Sequence, residues 1–308
     1  MNKKKVFAFV GITYLIAWTL QIIVSLYMVN NPGQTGKLVF QAGLAICMFA
    51  PILAALIVKA DFKGMGWKPK FKGNLKWLFF AAYVMIPVFA AGAVIFYMIF
   101  PGLFDTSGSY YIASTEAAGV DIVEELGKTG MSIQTYQLIS MAALIYAPFI
   151  NIITAIGEEA GWRGFLYPEL NKRFSRVITW LIGGTVWAAF HFPSMLIGGY
   201  EYGLNYIGKP WFGLLVFTVF CITAGIIEEI VYSKTKCIWF AALLHGSINA
   251  AATFPIVYAN INSPDLERLM VLGPGPNGII AGLPLIILAV IMGIAVIRKE
   301  TKAKEQTT

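Results

Sequence analysis

Residues 136–157 read YQLISMAALIYAPFINIITAIG and run without interruption into Glu158-Glu159-Ala160-Gly161-Trp162-Arg163. The first part carries no charge and is long enough to cross a bilayer core, which takes about 20 residues of helix. The second part sets two carboxylates and a guanidinium at the inner end of that crossing. Ionisable groups at membrane depth are costly unless they pair or line a wet cavity, so they mark functional sites. The chain has only two histidines, and both lie in apolar stretches of spanning length: His191 in Val177–Ile197 and His245 in Ile238–Tyr258. Together these three stretches predict a polar reaction centre inside a membrane bundle.

The rest of the 308 residues agrees. They are 58% hydrophobic and 13% charged, with a mean hydropathy of +0.71. A soluble protein of this size carries roughly twice that charged fraction. Eight segments have spanning length: Val6–Met28, Leu38–Val58, Trp77–Phe100, Tyr136–Gly157, Val177–Ile197, Trp211–Ile227, Ile238–Tyr258 and Ile279–Ile297. The fold class expected is an all-α, polytopic membrane helix bundle with about eight transmembrane helices. With a cytoplasmic N-terminus, alternation puts 19 of the 23 Lys and Arg on the cytoplasmic side, as the positive-inside rule requires. Both termini are then cytoplasmic, and the plasma membrane is the expected location. The net charge of +7 suits anionic lipid headgroups; no soluble basic face exists to bind nucleic acid.

Lys3-Lys4-Lys5 precedes an apolar run too long for a secretory signal and without a small-x-small cleavage site, so it reads as an uncleaved first span. Cys47, Cys221 and Cys237 show no CxxC spacing and read as reduced packing residues. Residues 1–76 read as a peripheral two-span extension, 77–135 as the third span and an external loop, and 136–255 as the catalytic core. Residues 256–308 hold a second external loop, the last span and a cytoplasmic tail. Pro101–Thr135 reads as a solvated loop with one short helix, and Gly273-Pro274-Gly275-Pro276 as a turn.

Within the core, Glu159 and Arg163 stand four apart on one helix face, where they can pair. Glu158, about 100° round the helix, is left free to act as a general base or to reach headgroups. Trp187 and His191 share a face at the same spacing, and so do His245 and Asn249. The latter pair offers two neutral N–H donors to a developing oxyanion, or an interhelical hydrogen bond. Gly161 and Gly246 allow close approach beside these positions. Glu228-Glu229, near the end of the sixth span, reads as an interfacial pair close to Lys234 and Lys236.

The order Glu-Glu-x-x-x-Arg, aromatic-x-x-x-His, His-x-x-x-Asn on three helices resembles the CAAX-protease and bacteriocin-processing (CPBP) family. Its members include the type II CAAX prenyl endopeptidases, which are intramembrane glutamic proteases. Gly161-Trp162-Arg163-Gly164-Phe165-Leu166-Tyr167-Pro168 resembles the tail of the family's first motif. Tyr232-Ser233-Lys234-Thr235 and Ile238-Trp239 resemble the approach to its last histidine. The resemblance covers residues 140–252. It implies that Glu158 activates water with help from His191, that Glu159 and Arg163 orient the site, and that His245 and Asn249 hold the oxyanion. Trp187 stands where the family usually has Phe, as a wall residue, and Glu228-Glu229 lies outside the pattern. The implied substrate is a membrane-associated peptide or protein, of CAAX or bacteriocin/pheromone type, and no cofactor is implied.

Because His191 lies about 21 Å into its span on a straight helix, Glu158 can meet it only if the fourth helix continues through Arg163, or if the fifth is tilted or enters late. Zinc is the rival use of Glu158, His191 and His245, since two histidines and a glutamate form a catalytic zinc set. No His-Glu-x-x-His or neighbouring carboxylate supports it. A proton-coupled transporter would need paired broken helices in two halves, and no such symmetry is visible. A bacteriocin-immunity protein without proteolytic activity would not need the intact polar set.

Overall fold

The computed structural model describes residues 1–116 and 119–306. Helices α1 (Lys3–Asn30), α2 (Gln34–Cys47) and α3 (Ala50–Ile57) come first, then α4 (Leu75–Tyr83) and α5 (Met85–Ile99). Three short helices follow, α6 (Ser109–Glu116), α7 (Ile122–Lys128) and α8 (Ile133–Ser140). Helix α9 (Ala143–Gly161) passes through a π-helical turn, Trp162–Leu166, into α10 (Tyr167–Asn171). Then come α11 (Arg176–Phe190), α12 (Phe192–Gly198), α13 (Trp211–Thr235), α14 (Ile238–Ala252), α15 (Asp265–Leu269) and α16 (Leu283–Glu305). No strand occurs among the described residues. The fold is an all-α bundle, and the chain is an integral membrane protein.

Among the described residues, seven helical stretches are long and apolar enough to cross a membrane: Lys3–Asn30, Gln34–Ile57, Leu75–Ile99, Ala143–Asn171, Arg176–Gly198, Trp211–Thr235 and Ile238–Tyr258. The eighth predicted span, Ile279–Ile297, is not among them. Ile279, Ile280 and Ala281 donate their N–H groups back to the carbonyls of Val271 and Leu272, so the helix starts only at Leu283. Its apolar part before Arg298 is then about 22 Å long, short of a roughly 30 Å core. The fourth span also moves. Tyr136 belongs to α8, and a tight turn at Met141–Ala142 separates that helix from α9. The segment expected to be external holds three short helices where the sequence suggested one; Asp121 and Ser132 cap two of them.

The lipid-facing and protein-facing sides of α9 are distinct. Ile145, Phe149 and Ile153, four apart, are exposed apolar side chains, suited to lipid. On another face lie Asn151, Thr154 and Glu158, which border an internal cavity. Gly246 of α14 lets the two helices touch: a Cβ there would sit 2.5 Å from the Pro148 carbonyl oxygen. Gly161 does the same toward α3, where a Cβ would meet Pro51 at 2.3 Å.

Helix α1 is tied into the centre. The chain breaks at His191 between α11 and α12, and the last carbonyls of a helix have no partner within it. Tyr14, Trp18 and Gln21, one or so turns apart on α1, donate to the carbonyls of Val186, Ala189 and Phe190 at 2.8, 3.0 and 2.8 Å. Gln21 also accepts the Ser194 N–H. Polar backbone in a membrane must be satisfied by protein, and α1 does this for the break. The helices read as a peripheral extension are therefore a wall of the core.

Candidate active site

The fourth span continues through the π-helical turn to Asn171, the continuation that the depth of His191 demanded. Glu158 lies about 20 Å from Asn171 and His191 about 22 Å from Arg176, so the two reach the same level. Glu158 is 1% exposed. Its Oε2 accepts two indole N–H groups, from Trp162 at 2.9 Å and Trp187 at 2.6 Å. Both donors converge on one oxygen, which leaves Oε1 for the cavity. Trp187 is thus more than a wall residue, because its N–H holds the carboxylate.

Behind Glu158 lies a buried charge cluster. Arg163, Glu159 and Glu228 are each fully buried. Arg163 donates from Nη1 to Glu159 Oε1 at 2.9 Å and from Nη2 to Glu228 Oε2. Its guanidinium lies over the rings of Trp187, at 4.6 Å, and Tyr167, at 5.0 Å. His245 Nδ1 lies 2.8 Å from Glu159 Oε1 and 3.9 Å from Glu228 Oε1. An ionised carboxylate only accepts, so Nδ1 carries the proton. Glu228 corrects the sequence expectation: far from being interfacial, it is the second counter-ion of Arg163. Glu229 also turns inward, to Arg176 and the Trp180 indole. A buried guanidinium carries five N–H donors, more than one carboxylate can accept, so Arg163 called for a second acceptor beside Glu159; that was the available signal.

His191 sits at the α11–α12 break. Its Nδ1 is 3.1 Å from the Trp187 carbonyl, which places the proton on Nδ1 and the lone pair on Nε2 in the neutral ring. Phe190, Phe217 and Tyr200 pack around it with ring centroids 4.8, 5.2 and 6.1 Å away. Glu158, His191, His245 and Asn249 all border one cavity of about 300 Å³. Gln21, Gln41 and Cys47 from α1 and α2 close its far side; the sequence reading did not place them there. All three cysteines are free and buried. Asn151 and Trp162 are likewise site residues that motif spacing missed.

Among the described residues, the grouping of potential metal ligands is Glu159, Glu228 and His245, whose donor atoms lie within 4.8 Å of one another. The zinc set read from the sequence, Glu158 with both histidines, is a different one. The observed grouping already holds a cation, since Arg163 bonds both of its carboxylates. Such a pair has little to offer a metal ion without displacing the guanidinium.

These residues fall within a segment, 140–251, that matches the sequence model of the family described as type II CAAX prenyl endopeptidase Rce1-like. CAAX prenyl protease 2 of Methanococcus maripaludis is 29% identical over 102 residues, which are 33% of this chain and 37% of that relative. The chain therefore aligns with little more than a third of the relative's length.

Proposed function

We propose that the protein is an intramembrane endopeptidase, from the match of residues 140–251 to the family model described as type II CAAX prenyl endopeptidase Rce1-like and from the site geometry. Its substrates are membrane-associated peptides or proteins. One observation carries the reading: Glu158 is held by two indole donors on the wall of a cavity it shares with His191, His245 and Asn249.

In this reading Glu158 Oε1 takes a proton from a water molecule, whose oxygen attacks the peptide carbonyl carbon. His191, with its lone pair on Nε2, orients that water. The oxyanion accepts hydrogen bonds from the Asn249 amide and from His245, which needs the doubly protonated ring because Nδ1–H already faces Glu159. One guanidinium against two carboxylates leaves one negative charge for that imidazolium to match. Glu158 then returns the proton to the amide nitrogen as the C–N bond breaks. No covalent intermediate and no metal take part. Glu159, Arg163 and Trp187 hold the parts in place. The loop-charge bias orients the cavity toward the cytoplasm, in the plasma membrane.

The test is cleavage of a peptide library by the purified, lipid-reconstituted chain, wild type against Glu158→Gln. The substitution keeps an acceptor for both indoles and removes the base. Turnover should fall by at least the roughly 10²–10⁴-fold that general-base catalysis supplies, with the thermal midpoint retained. Wild-type turnover by the variant would refute the mechanism.

A further inference from the structure

Between α12 and α13 the chain turns through Gly199, Glu201 and Gly203, all with left-handed backbone, at φ 66°, 78° and 74°. Glycine adopts that conformation freely, whereas a glutamate does so at a cost. A side chain kept where glycine would be easier has something to hold. Glu201 Oε2 accepts Asn277 Nδ2 at 2.6 Å, from the turn before α16. The Tyr200 hydroxyl is hydrogen-bonded to the same carboxyl. Tyr202 pins the facing backbone, donating its hydroxyl to the Asn277 carbonyl at 2.7 Å. The turn itself is closed by the Tyr200 N–H on the Ser194 carbonyl at 3.1 Å.

The Tyr200 ring lies nearly parallel to the His191 ring, 11° from it with centroids 6.1 Å apart. Phe190 and Phe217 meet the same imidazole edge-on, at 84° and 75°. Nδ1 is tethered to the Trp187 carbonyl. The torsion that turns an imidazole is broad, however, so a ring held at one atom can still tilt. A parallel neighbour limits that tilt, and with it the direction of Nε2. Tyr200 and His191 border the cavity together with Glu158, while Glu201 stands behind Tyr200 on its hydroxyl. Resting on the endopeptidase reading, we propose that Glu201 is a positioning residue for His191: it holds the Tyr200 hydroxyl, and Tyr200 sets the plane of the imidazole so that Nε2 faces the water at Glu158. Asn277 anchors the far end of this chain of contacts, which ties the reaction centre to the turn before α16.

The experiment uses the full chain in lipid nanodiscs, with histidine labelled in its imidazole ring and followed by nuclear magnetic resonance. The chain has two histidines, so two ring signals arise, assigned with His191→Gln. Glu201→Ala should move the His191 signal and leave that of His245 in place. Tyr200→Phe keeps the ring and removes the hydroxyl, and it should move the His191 signal the same way. Tyr200→Leu, which removes the parallel ring itself, should move it furthest. Glu201→Gln still offers an acceptor oxygen and should return the signal most of the way to wild type. In hydrolysis of the peptide library, the turnover number of Glu201→Ala should fall roughly three- to tenfold, the scale of one ordinary hydrogen bond, with KM unchanged. Asn205→Ala cuts a different tie of the same loop, Asn205 Nδ2 to Glu267 Oε1 at 3.0 Å, and should leave the His191 signal alone. A His191 signal unmoved by Glu201→Ala, or moved as far by Asn205→Ala, overturns the proposal. Tyr200→Phe carries the same comparison should Glu201→Ala fail to fold. A moved His191 signal without any hydrolysis by the wild type keeps the positioning link and removes the endopeptidase. Hydrolysis with an unmoved signal removes the link and leaves the endopeptidase.

Discussion

Trp187 Nε1 donates to Glu158 Oε2 across 2.6 Å, joining α11 to α9 through the carboxylate proposed as base. The same ring carries the Arg163 guanidinium on its face at 4.6 Å and lies 5.3 Å from the His245 ring. One side chain thus connects the base, the buried cation and the proposed oxyanion donor. A phenylalanine could do the packing, but it could not hold the carboxylate.

Trp187→Phe separates those roles. It keeps an aromatic face for Arg163 and removes one hydrogen bond to a charged acceptor, worth about 1.5–3 kcal/mol. The turnover number should fall by roughly ten- to a hundredfold while KM stays nearly constant, because the bond aims the base and touches no substrate. Thermal unfolding should move little, since Trp162 still donates to the same oxygen. An unchanged turnover number would show that Trp162 alone holds Glu158.

Glu228 is the residue on which sequence and structure part most clearly. Its removal leaves Arg163 half-paired in a fully buried position, and breaking a buried ion pair costs about 3–5 kcal/mol. Glu228→Ala should therefore unfold at a clearly lower temperature than wild type in the same detergent. Glu229→Ala should cost less, because Arg176 is partly exposed and keeps Glu300 as a partner. The double change Arg163→Met with Glu228→Met should recover much of the loss, because apolar replacement of a buried pair is often neutral or better. Equal, small losses for Glu228→Ala and Glu229→Ala would refute the buried network.

Hydropathy reveals which segments can cross a bilayer, and seven of the eight segments it picked out coincide with helices long and apolar enough to do so. It reads position along the membrane normal and says nothing of the partner across the bundle. That is why Glu228, one residue past an apolar run, looked interfacial until Arg163 was seen beside it. Local spacing found Glu159–Arg163, because i,i+4 contacts are written into a helix. It also grouped Trp187 with His191 and His245 with Asn249. It could not find Gln21 or Gln41, which reach the cavity from helices more than a hundred residues earlier in the chain. The breaks at Met141 and His191 were equally hidden, because both sit in apolar sequence. What makes the second break tolerable is the donors that α1 brings to it.

Glu201 gives a pH prediction outside the spans. It lies in the loop between α12 and α13, with left-handed backbone at φ 78°, and its Oε2 accepts Asn277 Nδ2 at 2.6 Å. Desolvation by burial, partly offset by the neighbouring Tyr200 hydroxyl, pushes its carboxyl from the ordinary 4.5 up to about 7. Between those values the folded loop keeps a proton that the unfolded chain has released. Stability should therefore fall as pH rises from 4.5 to about 7 and level off above. The difference in thermal midpoint between wild type and Glu201→Gln, followed across that range, isolates this group. The variant should gain on wild type as pH rises, and a constant difference would show that Glu201 titrates alike in the folded and unfolded chain.

The last prediction separates a glutamate-activated water from a zinc-bound one. If Asn249 and His245 both serve the oxyanion, Asn249→Ala and His245→Ala should each lower the rate by at least the roughly 10²–10³-fold that follows loss of one such donor. His245→Ala should also lose stability, because Glu159 then keeps only Arg163, which it shares with Glu228. His245→Gln, which can still donate to Glu159, should restore part of that stability without restoring the full rate. Activity should survive prolonged chelation, and metal analysis of the active protein should find well under one zinc per chain. A zinc ligand would behave otherwise: His245→Ala would be far worse than Asn249→Ala in rate, chelators would inactivate the wild type, and added zinc would restore it. Stoichiometric zinc with reversible inactivation would move His245 from oxyanion donor to metal ligand. Arg163 would then have to leave at least one of its two carboxylates to make room, a displacement that a structure of the zinc-loaded protein would reveal.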